Sequence, residues 1–344
     1  MLPFVDLTRQ TTHEGDALRE AIGRVLASGR FVLGPELEAF EAEFAAFTGQ
    51  RHCVGLSSGA AALALSLRAV GVAPGDEVIV PAFTAVPSAA AICSIGALPV
   101  FVDVLPETAT MDPDAARRAM TEKTRAVMPV HLYGRPSDVP ALGVPVVEDA
   151  AQAHGAVTGS RSAAVAYSFY PTKNLGGVGD GGAVVTDDDA VASELRLLRS
   201  HGFESPDDCI RIAMNARMSE LEAAVLRLRL GGLQAANAKR RSIAARYREG
   251  SAHLRWQDPH PDHVYHLCVA RVDDRDAFRA TLGVATDVHY SKAVPEQPAY
   301  RSFSGEPCVV SEAWARECVS LPCHPFMSDL EIDEVAGALA ATAR

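Results

Sequence analysis

The chain has 344 residues, 48% hydrophobic and 22% charged, the balance of a globular protein with room for a large core and two domains. A formal net charge of −11 leaves no basic face to release phosphate counterions, which argues against a nucleic-acid or anionic-membrane partner, and no apolar run reaches the ~18 residues of a membrane span. Cys53, Cys93, Cys209, Cys268, Cys308, Cys318 and Cys323 are scattered without CxxC pairs, and the N-terminus MLPFVDLTRQTTHEGD lacks the apolar core of a secretory signal, so reduced thiols and a cytoplasmic location are expected.

In chain order, Leu37, Phe40, Phe44 and Phe47 recur at helical spacing and predict a core-facing helix over 37–47. Residues 59–70, GAAALALSLRAV, are strong helix formers ended by Gly71. VIVP (78–81) reads as a short buried strand, followed by an Ala-rich helix over 85–95 and a strand PVFVDV over 99–104. A helix opened by Asp112-Pro113 comes next, then strands at 125–130, 144–149, 165–169 and 181–187. Short, continuously apolar strands between helices predict a mostly parallel sheet in an α/β layer fold. Residues 218–249 predict one long or broken helix leading to a smaller α+β region. That region has strands expected at 263–272 and 284–290 and helices at 274–282 and 310–319. The division expected is a large domain over 1–235, including an N-terminal arm, and a small domain over 236–344.

In such sheets ligands sit beyond the carboxyl ends of the strands. That rule singles out Ser57-Ser58-Gly59, Phe83-Thr84, His131, Asp149 and Ser168. SSGAAALAL places small residues at a helix start, where backbone N–H groups can approach a phosphate, although it also reads as a plain N-cap. VPVVEDAAQAHGA ends a strand on Glu148-Asp149, and a carboxylate there can keep a pyridine nitrogen protonated. SFYPTKNLG sets Lys173 four residues after VAYSF, where burial would lower its pKa and make it a nucleophile.

Together the runs VGLSSGAAAL, PGDEVIVPAFT, GALPVFVDV, MPVHLYGRP, VVEDAAQAHGA, SFYPTKNLG, GDGGAVVTD, NARMSELEAAVL and VHY…QPAY resemble the DegT/StrS-type sugar aminotransferases, from about residue 3 to the C-terminus. The resemblance implies a fold type I transferase: a large domain with a mostly parallel seven-stranded sheet, a small C-terminal α+β domain, and a homodimer with active sites at the interface. The implied cofactor is pyridoxal 5′-phosphate. Lys173 would carry it as an internal aldimine and shuttle the proton. Asp149 would pair with the ring nitrogen and Gln152 would lie beside the ring. Ser58, the Gly59 and Ala60 amides and the Ser168 hydroxyl would hold the phosphate, joined by Asn215 of the other subunit. His131, Tyr133 and His201 are the substrate-side candidates.

Two departures from the family's usual pattern stand out. Ala60 replaces a usual Thr, a loss on the scale of one hydrogen bond, about 0.5–1.5 kcal/mol. Ala85 replaces a usual ring-stacking aromatic, with Phe83 two residues earlier as the substitute cover. The implied reaction moves an amino group from an amino acid, L-glutamate or L-glutamine, to a keto group of a nucleotide-linked deoxysugar or, alternatively, a cyclitol. Sugar dehydration is the second reading, but its enzymes carry His at the Lys173 position. A non-catalytic regulator is the third, without evidence of the added DNA-binding domain it needs.

Overall fold

The computed structural model describes residues 2–138 and 141–343. The elements run α1 (Leu7–Ser28), α2 (Pro35–Thr48), β1 (His52–Leu56), α3 (Gly59–Ala69), β2 (Glu77–Pro81), α4 (Val86–Ser94), β3 (Leu98–Val102), α5 (Pro113–Arg118) and β4 (Thr124–Val127). They continue with β5 (Val147–Asp149), β6 (Ala164–Ser168), β7 (Gly182–Thr186), α6 (Asp189–Leu198), β8 (Phe203–Ser205), β9 (Asp208–Cys209), α7 (Glu220–Leu230) and α8 (Leu233–Gly250). The C-terminal part holds β10 (Arg255–Trp256), β11 (Cys268–Arg271), α9 (Arg275–Leu282), α10 (Val309–Glu317), β12 (Cys318–Leu321) and α11 (Asp329–Ala341).

Strands β3-β2-β4 form a parallel ladder and β5-β6-β7-β1 a mixed one. Parallel bridges Val127–Val146 and Val130–Asp149 join them, so the order across the sheet is β3-β2-β4-β5-β6-β7-β1. Only β7 runs against the rest, antiparallel to both β6 and β1. This is the mostly parallel, seven-stranded sheet expected.

Strand alternation feeds both faces. Ala164 and Ala166 of β6 and Val184 of β7 join the core under α3 and α4. Val165 and Tyr167, with Ala183 and Val185, join the core under α2 and α7, where Phe40 and Phe44 pack on Phe169. Because central strands such as β6 and β7 are buried on both faces, the polar residues at the strand ends become the natural lining of a site.

The predicted helix over 218–249 is broken at Gly231-Gly232 into α7 and α8. The division expected at 235/236 falls inside α8. The strand expected over 263–272 shortens to Cys268–Arg271. The one expected over 284–290 is not formed; that segment makes a single bridge, Asp287–Ser320, and then turns. Helices α1 and α11 escape the sequence reading. In α1 only Ala21 and Val25 are buried, too narrow a stripe to register as a period. The C-terminal core gathers α8, β11, β12 and α11, with Leu2 from the N-terminal arm packed among them.

Candidate active site

Asp149 is the last residue of β5 and is 5% exposed. Its Oδ2 accepts from Ser88 Oγ at 2.7 Å and its Oδ1 from Ala151 N–H at 3.1 Å. Ser88 lies in the opening turn of α4 with its hydroxyl 3.0 Å from Thr84 Oγ1. Sequence reasoning missed Ser88; its signal is the four-residue spacing from Thr84, which lies between β2 and α4 and meets the Ser88 hydroxyl across the helix start. Neither hydrogen-bond partner carries a positive charge, and the cation nearest this buried carboxylate is the Lys173 amine, whose pKa Asp149 raises.

Lys173 is set in the loop after β6. Its backbone N–H donates to Tyr170 O at 2.8 Å. The adjacent Asn174 fixes the loop to the rest of the fold, donating to Asn237 Oδ1 at 2.8 Å and Val264 O at 3.0 Å, with Oδ1 3.2 Å from His266 Nδ1. Burial lowers the Lys173 amine to about 8, with Asp149 pulling partly the other way. The neighbouring His154 is fully buried, and burial together with the Lys173 charge takes it down to about 3, a neutral ring beside the amine.

The start of α3 meets the end of β6. Ser58 caps the helix, its Oγ accepting from Ala61 N–H at 3.1 Å. Gly59 faces Ser168 so closely that a Cβ on it would stand 2.5 Å from Ser168 Cβ. Only glycine permits this approach, which brings the Ser168 hydroxyl and the first amides of α3, at Gly59 and Ala60, into one cradle. Gln152 is 5% exposed and held at both ends: Oε1 accepts from Tyr133 N–H at 2.6 Å and Nε2 donates to Tyr290 Oη at 3.1 Å. Tyr290, whose phenol burial drives up, senses the Asp149 charge and joins this group without having been singled out in the sequence.

Several expected residues are placed elsewhere. Phe83 does not cover the site: it is fully buried, stacked on Trp314 and edge-on to Tyr133 and Tyr290, because the segment after β2 turns its side chain into this aromatic cluster. Ala85 is the partly exposed N-cap of α4 and offers only a methyl group. His131 is fully buried, with Nε2 2.7 Å from Glu148 Oε2 and Nδ1 accepting from Ser137 N–H at 2.9 Å, so neither ring nitrogen is left for a substrate. Tyr133 is likewise buried; its hydroxyl donates to His289 O while its backbone holds Gln152. It positions rather than contacts. His201 sits on an exposed turn beside the β8–β9 hairpin, its N–H donating to Met214 O at 3.2 Å. Asn215 is exposed on the strand-like run beside the end of β1, where Ser57 N–H donates to Ala216 O at 2.8 Å.

A cavity of about 990 Å³ opens on the far side of Lys173, between α1, α8 and the 321–328 segment. Asn174, Arg240, His266, His289 and His324 line it with the lysine.

A half-buried amine, a buried carboxylate with only neutral hydrogen-bond partners and a glycine-backed helix N-terminus at three strand ends suit a phosphorylated pyridine held on lysine. Fold and site thus define a fold type I, pyridoxal-phosphate-dependent transferase. The chain belongs to the DegT/DnrJ/EryC1/StrS aminotransferase family, which it matches over residues 12–340. It is 44% identical to a Streptomyces venezuelae protein, dTDP-3-amino-3,4,6-trideoxy-alpha-D-glucose transaminase, over 95% of this chain and 92% of that one. Among solved structures, DesV of S. venezuelae in complex with a ketimine intermediate superposes with a TM-score of 0.97 at 42% identity, covering 100% of this chain and 98% of that chain. The Bacillus subtilis protein ntda with bound cofactor PMP gives 0.94 at 32% identity, over 98% of this chain and 84% of that chain. The chain is an aminotransferase.

Proposed function

We propose that this enzyme transfers an amino group from L-glutamate or L-glutamine to a keto group of a nucleotide-linked deoxysugar, with Lys173 as the reactive amine. The observation that carries the reading is the Lys173 amine itself, lowered to about 8 by burial beside Asp149, so that a sizeable neutral fraction is present near neutral pH. Bound here, pyridoxal 5′-phosphate supplies the electron sink for the carbon that gains or loses the amino group.

The residues of the chain divide the remaining work. Asp149 keeps a ring nitrogen protonated, itself oriented by Ser88 and the Ala151 amide. Ser58, the Gly59 and Ala60 amides and Ser168 Oγ take the phosphate at the start of α3. Gln152, fixed by Tyr133 and Tyr290, would help to hold the ring. Lys173 Nζ would carry the proton between the substrate carbon and the cofactor, a role suited to an amine whose pKa lies near the working pH. The pair of sugar and amino-acid substrates enters the same site in turn.

We further propose a homodimer in which Asn215 completes the partner's phosphate site. Support comes from large apolar side chains left exposed beside Asn215 in sequence, Met214 at 62% and Ile212 at 93%. Such a patch points to a protein–protein contact. Among the described residues no helix is long and apolar enough to cross a membrane.

The test is spectroscopic. Purified enzyme with pyridoxal phosphate should show a visible band that borohydride fixes to the protein, and that band should be lost in Lys173→Ala together with amino transfer. Full turnover by Lys173→Ala would overturn the assignment. Keto-sugars and inososes offered to the pyridoxamine-loaded enzyme, with return of the visible band as the signal, then identify the acceptor.

A further inference from the structure

The limb that leaves Lys173 is glycine-rich, Gly176-Gly177-Val178-Gly179-Asp180-Gly181-Gly182, and returns to the sheet as β7. Two backbone bonds fold it onto the end of β6: Gly177 N–H donates to Phe169 O and Phe169 N–H to Gly181 O, both at 2.7 Å. Gly182 then backs the phosphate cradle, since a Cβ there would stand 2.3 Å from Ser58 O and 2.7 Å from Gly59 N. A glycine run loses more backbone freedom on ordering than any other sequence, so this limb depends on what grips it.

Two side chains of α7 do so from opposite sides. Arg229 Nη1 donates to Gly176 O at 2.6 Å and Gly177 O at 2.8 Å, while its charge is met by Glu14 of α1 at 2.8 Å. Glu222 takes the other edge, its Oε2 accepting from Val178 N–H at 3.3 Å and Gly179 N–H at 3.1 Å. Glu222 is 4% exposed, and its Oε1 is buried with no hydrogen-bond partner. That oxygen points at Gly177, where an added Cβ would lie 1.2 Å from it. Any side chain at Gly177 would displace this carboxyl.

An anion with one oxygen sealed from both water and donors is costly. Burial pushes Glu222 up to about 7, against the pull of the Val178 and Gly179 amides and of Arg229, with Asp180 on the limb adding to the rise. Glu14 reaches it only through Arg229, and on α2 Glu36 and Glu43 are engaged with Arg227.

We propose that Glu222 is a positioning residue of this active site: its neutral carboxyl seats the 176–182 limb against the phosphate cradle behind Lys173, and its ionisation loosens that limb. The role rests on the reading of Lys173 and the α3 cradle as the cofactor site. The sign follows from the raised value. Stabilisation by the neutral group is complete below the ordinary carboxyl range and is lost as pH rises through about 7.

Glu222→Gln keeps the shape and the acceptor oxygen but cannot ionise. Hydrogen-exchange protection factors of the 177–179 amides, measured on cofactor-free protein from pH 6 to 9, should fall about 10-fold or more in the parent and stay nearly flat in the variant. Retention of pyridoxal phosphate after dilution should follow the same two profiles. Equal pH slopes in the two proteins overturn the proposal, whether or not the variant is uniformly less protected, because a purely structural side chain shifts the level and not the slope. A missing visible band in both proteins with Lys173 intact overturns instead the cofactor reading, and the role assigned to Glu222 with it.

Discussion

Glu148 and Asp149 are consecutive residues of one strand, and alternation sends their side chains to opposite faces of the sheet. Glu148 is met by His131 at 2.7 Å, by the Gly159 amide at 3.1 Å and by the Ser162 hydroxyl. Burial drives its pKa up, but these partners outweigh burial and hold it below the usual carboxylate range. Asp149 has a serine hydroxyl and one amide, and the nearby cation is the Lys173 amine that burial has weakened. Two acids of equal burial thus do different work because one has its partners supplied by the fold and the other does not. The satisfied acid is a lock; the unsatisfied one, with its lysine, is a place for a ligand.

The sharpest way to break this contrast is to remove each acid in turn. Glu148→Ala leaves His131 buried beside a void and should destabilise the fold by about 3–5 kcal/mol, read as a lower denaturant midpoint. Asp149→Asn should cost far less stability and yet abolish the visible cofactor band. Equal effects on stability would erase the distinction. The lock also has a pH sign: a depressed carboxyl stabilises above its ordinary value near 4.5 and loses that contribution as pH falls, so acid unfolding should be less steep in Glu148→Gln.

A smaller effect should come from the lysine. Because its folded pKa lies near 8, below the ordinary 10.5, the charged form is disfavoured in the fold. Lys173→Met in cofactor-free protein should therefore gain stability at pH 7, on the order of 1–3 kcal/mol, and the gain should shrink as pH rises from 8 towards 10.5. Thermal melts across that range measure it, and an unchanged melting temperature at pH 7 would count against a buried amine. Smallest of all, Ser88→Ala should remove one hydrogen bond from Asp149, about 0.5–1.5 kcal/mol, seen as several-fold weaker pyridoxal phosphate retention with the fold intact.

Much of this site can be read in the primary structure because strand ends announce themselves. SSGAAAL, VVED and SFYPTKNLG each end an apolar run with small or charged residues, and a parallel sheet gathers such ends on one edge. The errors have a common origin. Alternation with Ala85 places Phe83 over the ring, and the resemblance places His131 and Tyr133 at the substrate; the side-chain directions of Phe83 and His131 are set instead by packing on Trp314 and by Glu148, partners 231 and 17 residues away in the chain. Ser88, Tyr290 and Glu222 were passed over for the same reason. Each acts through a residue distant in sequence: Asp149, Gln152 and the 177–179 limb.

What the sequence by itself determined is therefore the layer fold and the order of its strands' chemistry, with Lys173 a candidate beyond one strand end, since periodicity and strand-end composition are local properties. The tertiary structure alone decided which acid is a lock and which is a seat, how far the Lys173 amine is weakened, and that a buried glutamate holds the glycine limb behind it. Those are matters of burial and of partners brought from remote segments, and desolvation is a property of the packed whole rather than of any stretch of chain.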